Sequence, residues 1–167
     1  MLFKTKTFCL ATAFLVIGLA GCSGIEPEQS ELDDPPLKTT MTTYRLGVAM
    51  EIQVRYTNPT DSPVELGKCG RAGGLRAVLQ KRENGSWRAV DPDIICQAIL
   101  VPPRFWVDPG ETLEVTAFAD PLFGPNATPI PPSEAIGTYR FLADVYGEDG
   151  SELEEKYRLS NAFEIVE

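Results

Sequence analysis

The sequence predicts an all-β fold, an antiparallel β-sandwich, preceded by a removable signal and a short tether. Three observations carry that prediction. Apolar and polar residues alternate with period two in short runs beyond residue 42. Turn-forming Gly, Pro, Asn and Asp clusters separate those runs at regular spacing. After residue 22 no run shows the apolar stripe of a helix. At 167 residues and 43% hydrophobic, the chain can fill the core of one domain and hardly of two.

The amino terminus is read first. Lys4 and Lys6 precede an uncharged, mostly apolar run from Phe8 to Gly21. That run is shorter than the roughly 20 apolar residues a spanning helix needs, and it suits the apolar region of a secretory signal. It closes on Leu19-Ala20-Gly21-Cys22, which resembles the lipobox of bacterial lipoproteins. The resemblance implies cleavage before Cys22 and lipid attached to Cys22. A membrane would then be a partner through that anchor, and the protein would lie in the cell envelope outside the cytoplasm. Ser23, where Asp is absent, points by the same resemblance to the outer membrane in a cell that has one. Each buried methylene contributes about 0.8 kcal/mol, so two or more acyl chains anchor stably.

Residues 1–21 are therefore expected to be a signal peptide, 22–41 an acidic flexible tether and 42–167 the sandwich. Glu26, Glu28, Glu31, Asp33 and Asp34 with Pro27, Pro35 and Pro36 give the tether its disordered composition. Processing also changes the charge. The whole chain carries −9; loss of Lys4 and Lys6 leaves 13 basic against 24 acidic residues, or −11. So acidic a protein is not expected to bind nucleic acid.

The strands follow in order. Val48, Met50, Ile52, Val54 and Tyr56 alternate with Ala49, Glu51, Gln53 and Arg55, as a half-buried strand requires. Asn58-Pro59-Thr60-Asp61-Ser62-Pro63 ends it with turn chemistry. Val64–Lys68 and Leu75–Arg82 are further strands, and Asn84-Gly85 signals a tight hairpin into Trp87–Val90. Asp108-Pro109-Gly110-Glu111 is a turn before Thr112–Ala119. Gly137–Tyr146 carries Tyr139, Phe141, Ala143 and Val145 on one face, and Glu148-Asp149-Gly150-Ser151 leads into Leu153–Leu159. Asn161–Val166 closes the chain with Phe163 and Ile165 alternating against polar neighbours.

Several of these phrases together resemble bacterial immunoglobulin-like lipoprotein domains related to intracellular proteinase inhibitors (BsuPI-like). They are Val54-Arg55-Tyr56-Thr57-Asn58-Pro59-Thr60-Asp61-Ser62-Pro63-Val64-Glu65-Leu66, Asp108-Pro109-Gly110-Glu111, Gly137-Thr138-Tyr139-Arg140 and Ser160-Asn161-Ala162-Phe163-Glu164-Ile165. The resemblance covers about 50–167 and implies an immunoglobulin-like sandwich. In that frame Tyr139 is a corner tyrosine whose hydroxyl bonds back to nearby backbone. Phe141 stands where antibody-type domains have a cysteine.

Of four cysteines, Cys9 leaves with the signal and Cys22 carries lipid, which leaves Cys69 and Cys96. In an oxidising compartment these are expected to form a structural disulfide. A redox or metal pair is the alternative, but neither histidine nor a Cys-x-x-Cys spacing supports it.

Six basic residues, Lys68, Arg71, Arg76, Lys81, Arg82 and Arg88, meet only Glu83 between positions 68 and 88. One reading is a patch, including Arg76 and Arg82, that docks an anionic partner. The other is neutralisation within the fold by Glu148, Asp149, Glu152, Glu154 and Glu155. The proline-rich segment 120–134 is long for a loop and carries Leu122, Phe123 and Ile130, which either contact a partner or cap the core. Val101-Pro102-Pro103-Arg104-Phe105-Trp106 is a second contact candidate, with Trp106 and Trp87 as anchors, although tryptophan in a sandwich is usually core.

Chemistry is poorly supplied. The chain has no histidine, hence neither the commonest general base nor the commonest zinc ligand. Gly70, Gly73 and Gly74 lack the strand–helix context of a phosphate cradle, and no cofactor or metal is expected. The reading is a lipid-anchored, non-enzymatic module that binds a protein or an envelope polymer. A BsuPI-like proteinase inhibitor is the alternative.

Overall fold

A computed structural model describes residues 34–46, 51–69, 74–90, 105–119 and 130–167. The signal, Cys22, most of the tether, Cys96, Leu122 and Phe123 lie outside the described residues. Among those described, no helix is long and apolar enough to cross a membrane.

The strands in chain order are β1 (Leu37–Thr39), β2 (Thr43–Arg45), β3 (Glu51–Thr57), β4 (Val64–Leu66), β5 (Lys68–Cys69), β6 (Gly74–Leu75) and β7 (Ala77–Glu83). Then come β8 (Ser86–Ala89), β9 (Phe105–Val107), β10 (Thr112–Phe118), a single helical turn α1 (Pro132–Ala135), β11 (Gly137–Ala143), β12 (Val145–Tyr146) and β13 (Phe163–Val166). They form a first sheet ordered β1-β3-β10-β6-β5, a second ordered β2-β13-β11-β7-β8 and a third ordered β12-β4-β9. The fold is all-β.

Most pairings are antiparallel, but β2 runs parallel to β13 and β6 parallel to β10. The purely antiparallel expectation is corrected accordingly. The physical reason is that the chain changes sheets without reversing. After β1 it crosses at 40–42 from the first sheet to the second and continues as β2 beside β13.

Two further expectations change. Leu37–Thr39, assigned to the tether, form β1, with Leu37 fully buried and Lys38 and Thr39 in register with Arg55 and Val54. Tertiary pairing overrides a proline-rich, acidic neighbourhood there. Leu153–Leu159, expected to be a strand, contains a 3-10 turn at Glu155–Tyr157, with only isolated bridges at Glu152 and Leu159.

Alternation explains the core. Ile52, Val54 and Tyr56 of β3 are buried while Glu51, Gln53, Arg55 and Thr57 are exposed. Tyr139, Phe141 and Ala143 of β11 and Phe163 and Ile165 of β13 face the same single core. Phe163 is its aromatic hub, 5.2 Å from the Phe141 ring, 5.5 Å from Tyr44 and 6.2 Å from Tyr139. Each such side chain contributes about 1.5–3 kcal/mol on burial.

On the outer face of the first sheet, polar side chains pair directly across β3 and β10. Thr57 meets Thr112 at 2.8 Å, Arg55 meets Glu114 at 2.7 Å, and the Gln53 amide donates to Thr116 Oγ1 at 2.9 Å.

Strand direction fixes what lies at each strand end. Thr57 N–H donates to Pro36 O, Asn58 N–H to Glu111 O and Gly110 N–H to Asn58 O. The turns at 58–63 and 108–111 thus lie where the tether joins. Buried Asn58 staples them: its amide donates to Ser62 O at 2.8 Å and Val107 O at 2.9 Å, and its Oδ1 accepts from Thr60 N–H. Strands β1, β10 and β13 run away from this end, and β11 returns toward it. The Asn84-Gly85 hairpin, α1 and residues 40–42 therefore lie at the opposite end.

Candidate functional site

Three chain crossings meet at Gly67, Arg76 and Asp144. Gly67 joins β4 to β5 and passes from the third sheet to the first. Arg76 joins β6 to β7, from the first to the second, and Asp144 joins β11 to β12, from the second to the third. Their backbones close a ring. Gly67 N–H donates to Asp144 O at 2.8 Å, Asp144 N–H to Arg76 O at 2.9 Å, and Arg76 N–H to Gly67 O at 2.8 Å. Glycine is needed by close approach, since a Cβ at position 67 would stand 2.8 Å from Asp144 Cβ.

The Asp144 carboxyl sits over this ring with 14% of its side chain exposed. Arg76 Nε is 2.8 Å from Oδ2, the Tyr146 hydroxyl is 3.5 Å from Oδ2, and Arg158 Nη2 is 3.9 Å from Oδ1. Arg158 is committed elsewhere: its Nη2 lies 2.5 Å from Glu152 Oε1 and its Nε donates to Ala143 O at 2.8 Å. Among the described residues Asp144 thus has one close cationic partner, and that arginine is half exposed. Burial raises the Asp144 carboxyl above its ordinary range, outweighing Arg76 and Arg158, while Glu152 adds to the rise. The Tyr146 hydroxyl is also raised, by burial first and then by Asp144.

A second buried charge lies on the outer face of the second sheet. Arg140 of β11, 7% exposed, donates from Nε to Gln80 Oε1 at 2.7 Å and reaches Glu155 at 3.4 Å. Its guanidinium stands 4.5 Å from the Trp87 ring centroid, which Arg82 approaches at 5.8 Å. Stacking and the Glu155 pair compensate a cation that burial alone would penalise.

The sequence-derived candidates are dispersed. Arg76 belongs to the Asp144 junction and Arg82 to the Trp87 cluster. Six residues of extended chain, about 20 Å, separate them, so they do not form one patch. Arg88 lies 3.9 Å from Glu83, Lys81 Nζ donates to Glu134 O, and Lys68 lies against the Phe105 ring. Glu152, Glu154 and Glu155 are engaged by Arg158, Lys156 and Arg140. The expected neutralising partner of Arg76 is thus replaced by Asp144. Ile130 is half buried just before α1, and Cys69 lies in β5 in register with Gly74. The Cys69–Cys96 pairing and the Leu122 and Phe123 contacts fall outside the described residues. Both tryptophans sit off the core, Trp87 half buried on the second sheet and Trp106 45% exposed on β9. Among the described residues no group of three or more His, Cys, Asp or Glu is placed to hold a metal ion.

Asp144, Arg140 and Arg158 were not singled out by sequence. A charge at an outward position reads as solvated; Asp144 is covered at the crossing, Arg140 by the Trp87 ring and Glu155, and Arg158 is held by Ala143 O and Glu152. No sequence signal sets Asp144 apart, because Val145 continues the inward face of Tyr139, Phe141 and Ala143 across it.

No protein-family model matches the sequence. No curated protein matches it either. Among solved structures, the chain is similar at 9% identity and a TM-score of 0.32 to a Pseudomonas fluorescens alkylpurine DNA glycosylase, AlkC, bound to DNA containing an abasic site analogue. The match covers 80% of this chain and 31% of that one, and at this level it carries no functional argument.

Proposed function

We propose that this chain is a lipid-anchored protein of the cell envelope that acts as a non-enzymatic binding module, with an immunoglobulin-like domain similar to the BsuPI-like group. The observation that carries the reading is the ordered run of Lys4 and Lys6, the apolar stretch and Leu19-Ala20-Gly21-Cys22. The first strand fixed in the domain begins at Leu37, 15 residues after Cys22. Fully extended, that stretch reaches about 50 Å. It is long enough to display a domain clear of a lipid surface.

Strand order supports the immunoglobulin-like reading. The run β1-β3-β10 matches strands A-B-E, and β13-β11-β7 matches G-F-C. Tyr139, near the start of β11, donates its hydroxyl to Ala135 O, four residues upstream, at 2.6 Å, as a corner tyrosine does. The binding surface in this proposal is the strand end away from the tether. Met41 and Phe118 are 56% and 43% exposed there, and the hairpin that carries Arg82 and the α1 turn beside Ile130 lie at the same strand end. Exposed apolar side chains of this kind suit a protein partner.

A photo-crosslinking residue at Phe118 and, separately, at Asp61 in native cells tests the reading. A protein adduct formed from position 118 and not from 61 is expected. Equal adducts at both positions, or at neither, contradict the assignment of that end. Inhibition of proteases by the full chain would move the function to the inhibitor reading.

A further inference from the structure

We propose that residues 36–45 form a tension clasp, a segment laid so that a pull from the tether loads its bonds along the strands, where they resist together. The chain enters the domain at the tether end through Pro36, whose carbonyl accepts from Thr57 N–H at 2.9 Å. It then runs away from that end twice. β1 leaves along β3 at the border of the first sheet, and β2 continues in the same direction along β13 at the border of the second. β1 is held on both sides. Toward β3, Thr40 N–H donates to Gln53 O at 3.0 Å, just beyond the paired residues. On the other side Asn161 N–H donates to Leu37 O at 3.2 Å, Asn161 Oδ1 accepts from Thr39 N–H at 2.8 Å, and the Asn161 amide donates to Thr39 Oγ1 at 2.9 Å. β2 is fastened at its two ends, by Glu164 N–H on Thr42 O at 2.8 Å and by Leu46 N–H on Val166 O at 2.7 Å. Two buried side chains plug the segment into the core: Leu37, and Tyr44 with its ring edge-on to Phe163.

Direction decides the strength. The ladder bonds of an antiparallel pair lie across the strands. A pull along β1 strains them all at once, whereas a pull across the sheet opens them one after another. A chain held at Cys22 and gripped at the end that carries Phe118 is pulled along its strands, because the tether leaves at one end and the partner holds the other. Resistance to such a pull is set by the rate of forced unfolding rather than by equilibrium stability. The load itself rests on the proposed function; the direction dependence belongs to the fold and is tested without it.

The test pulls single full-length molecules at one constant speed between the amino end and an azide-bearing residue placed at Phe118 or, separately, at Asp61. From 118, at the far end of β10, the pull shears β1 along β3. From 61, in the turn beside the exit of the tether, β1 peels away instead. The force of the first rupture should be higher from 118 than from 61. Asn161→Ala, which removes the side-chain bonds to Thr39, should lower the force from 118 more than the force from 61. Equal forces from the two positions, or a higher force from 61, overturn the proposal, as does an Asn161→Ala chain that folds and keeps the full force from 118. The comparison of the two positions decides the matter even where the variant does not fold. Absence of lipid on Cys22 would remove the proposed anchor and leave this comparison as it stands.

Discussion

Two buried tyrosines offer the same chemical deletion with opposite expected outcomes. Tyr139 and Tyr56 are both fully buried, and Tyr→Phe removes one oxygen from each. The Tyr139 hydroxyl donates to Ala135 O at 2.6 Å and ties the turn at α1 to the start of β11. Removing it loses a net hydrogen bond of about 0.5–1.5 kcal/mol and leaves an acceptor short of its donor, so a total of about 1–2 kcal/mol is expected. That lowers the folding constant by about 5–30-fold. The Tyr56 hydroxyl has no hydrogen-bond partner among the described residues. Its burial costs free energy that Tyr56→Phe returns, so this variant should match the wild type or exceed it by up to about 1 kcal/mol. Equilibrium urea denaturation of the three proteins, followed by tryptophan fluorescence, measures both. Equal losses at the two positions, or a larger loss at Tyr56, would refute the reasoning from hydroxyl partners.

Three other outcomes are expected. Gly67→Ala should destabilise by about 1–3 kcal/mol, because the new Cβ meets Asp144 Cβ where neither backbone can yield without breaking the ring of bonds; thermal unfolding measures it. Asn58→Ala should cost about 2–3 kcal/mol, since Ser62 O and buried Val107 O lose their donor together, and limited proteolysis should first cut the chain within 58–63. At alkaline pH stability should fall from about pH 10, where unfolded tyrosines ionise. Burial, and after it Glu83, hold Tyr139 up to about 12, so the folded chain keeps a proton that the unfolded chain releases. Denaturation midpoints across that range should fall less steeply in Tyr139→Phe.

Local chemistry was legible wherever a turn or a strand is decided by its own residues. Asn84 and Gly85 both adopt positive φ, 51° and 84°, as the Asn-Gly pair implies for a type I′ hairpin. Glu111 N–H donates to Asp108 O with Gly110 at φ 74°, the turn read from Asp-Pro-Gly-Glu. The alternation of β3 and β13 also follows from the sequence, and the bond of Tyr139 to upstream backbone is the one the immunoglobulin-like resemblance implies.

What escaped was decided by distant parts of the chain. Leu37–Thr39 is too short to show a period and gains its stability from β3 and from Asn161, whose Oδ1 accepts Thr39 N–H at 2.8 Å. The crossings at Gly67, Arg76 and Asp144 divide runs that read as single strands. The parallel pairing of β2 with β13 requires that a strand change sheets, which no local pattern encodes. Arg140 and Arg158 look like surface charges until Trp87 and Glu155 engage the one and Ala143 O and Glu152 the other.

The central claim is the proposed lipid anchor, and the intact mass of the protein extracted from its native cells tests it most directly. The account predicts a chain that begins at Cys22, lacks residues 1–21 and carries the added mass of at least two acyl chains on that cysteine. A chain that retains Met1–Gly21, or one that begins at Cys22 without lipid, would contradict it.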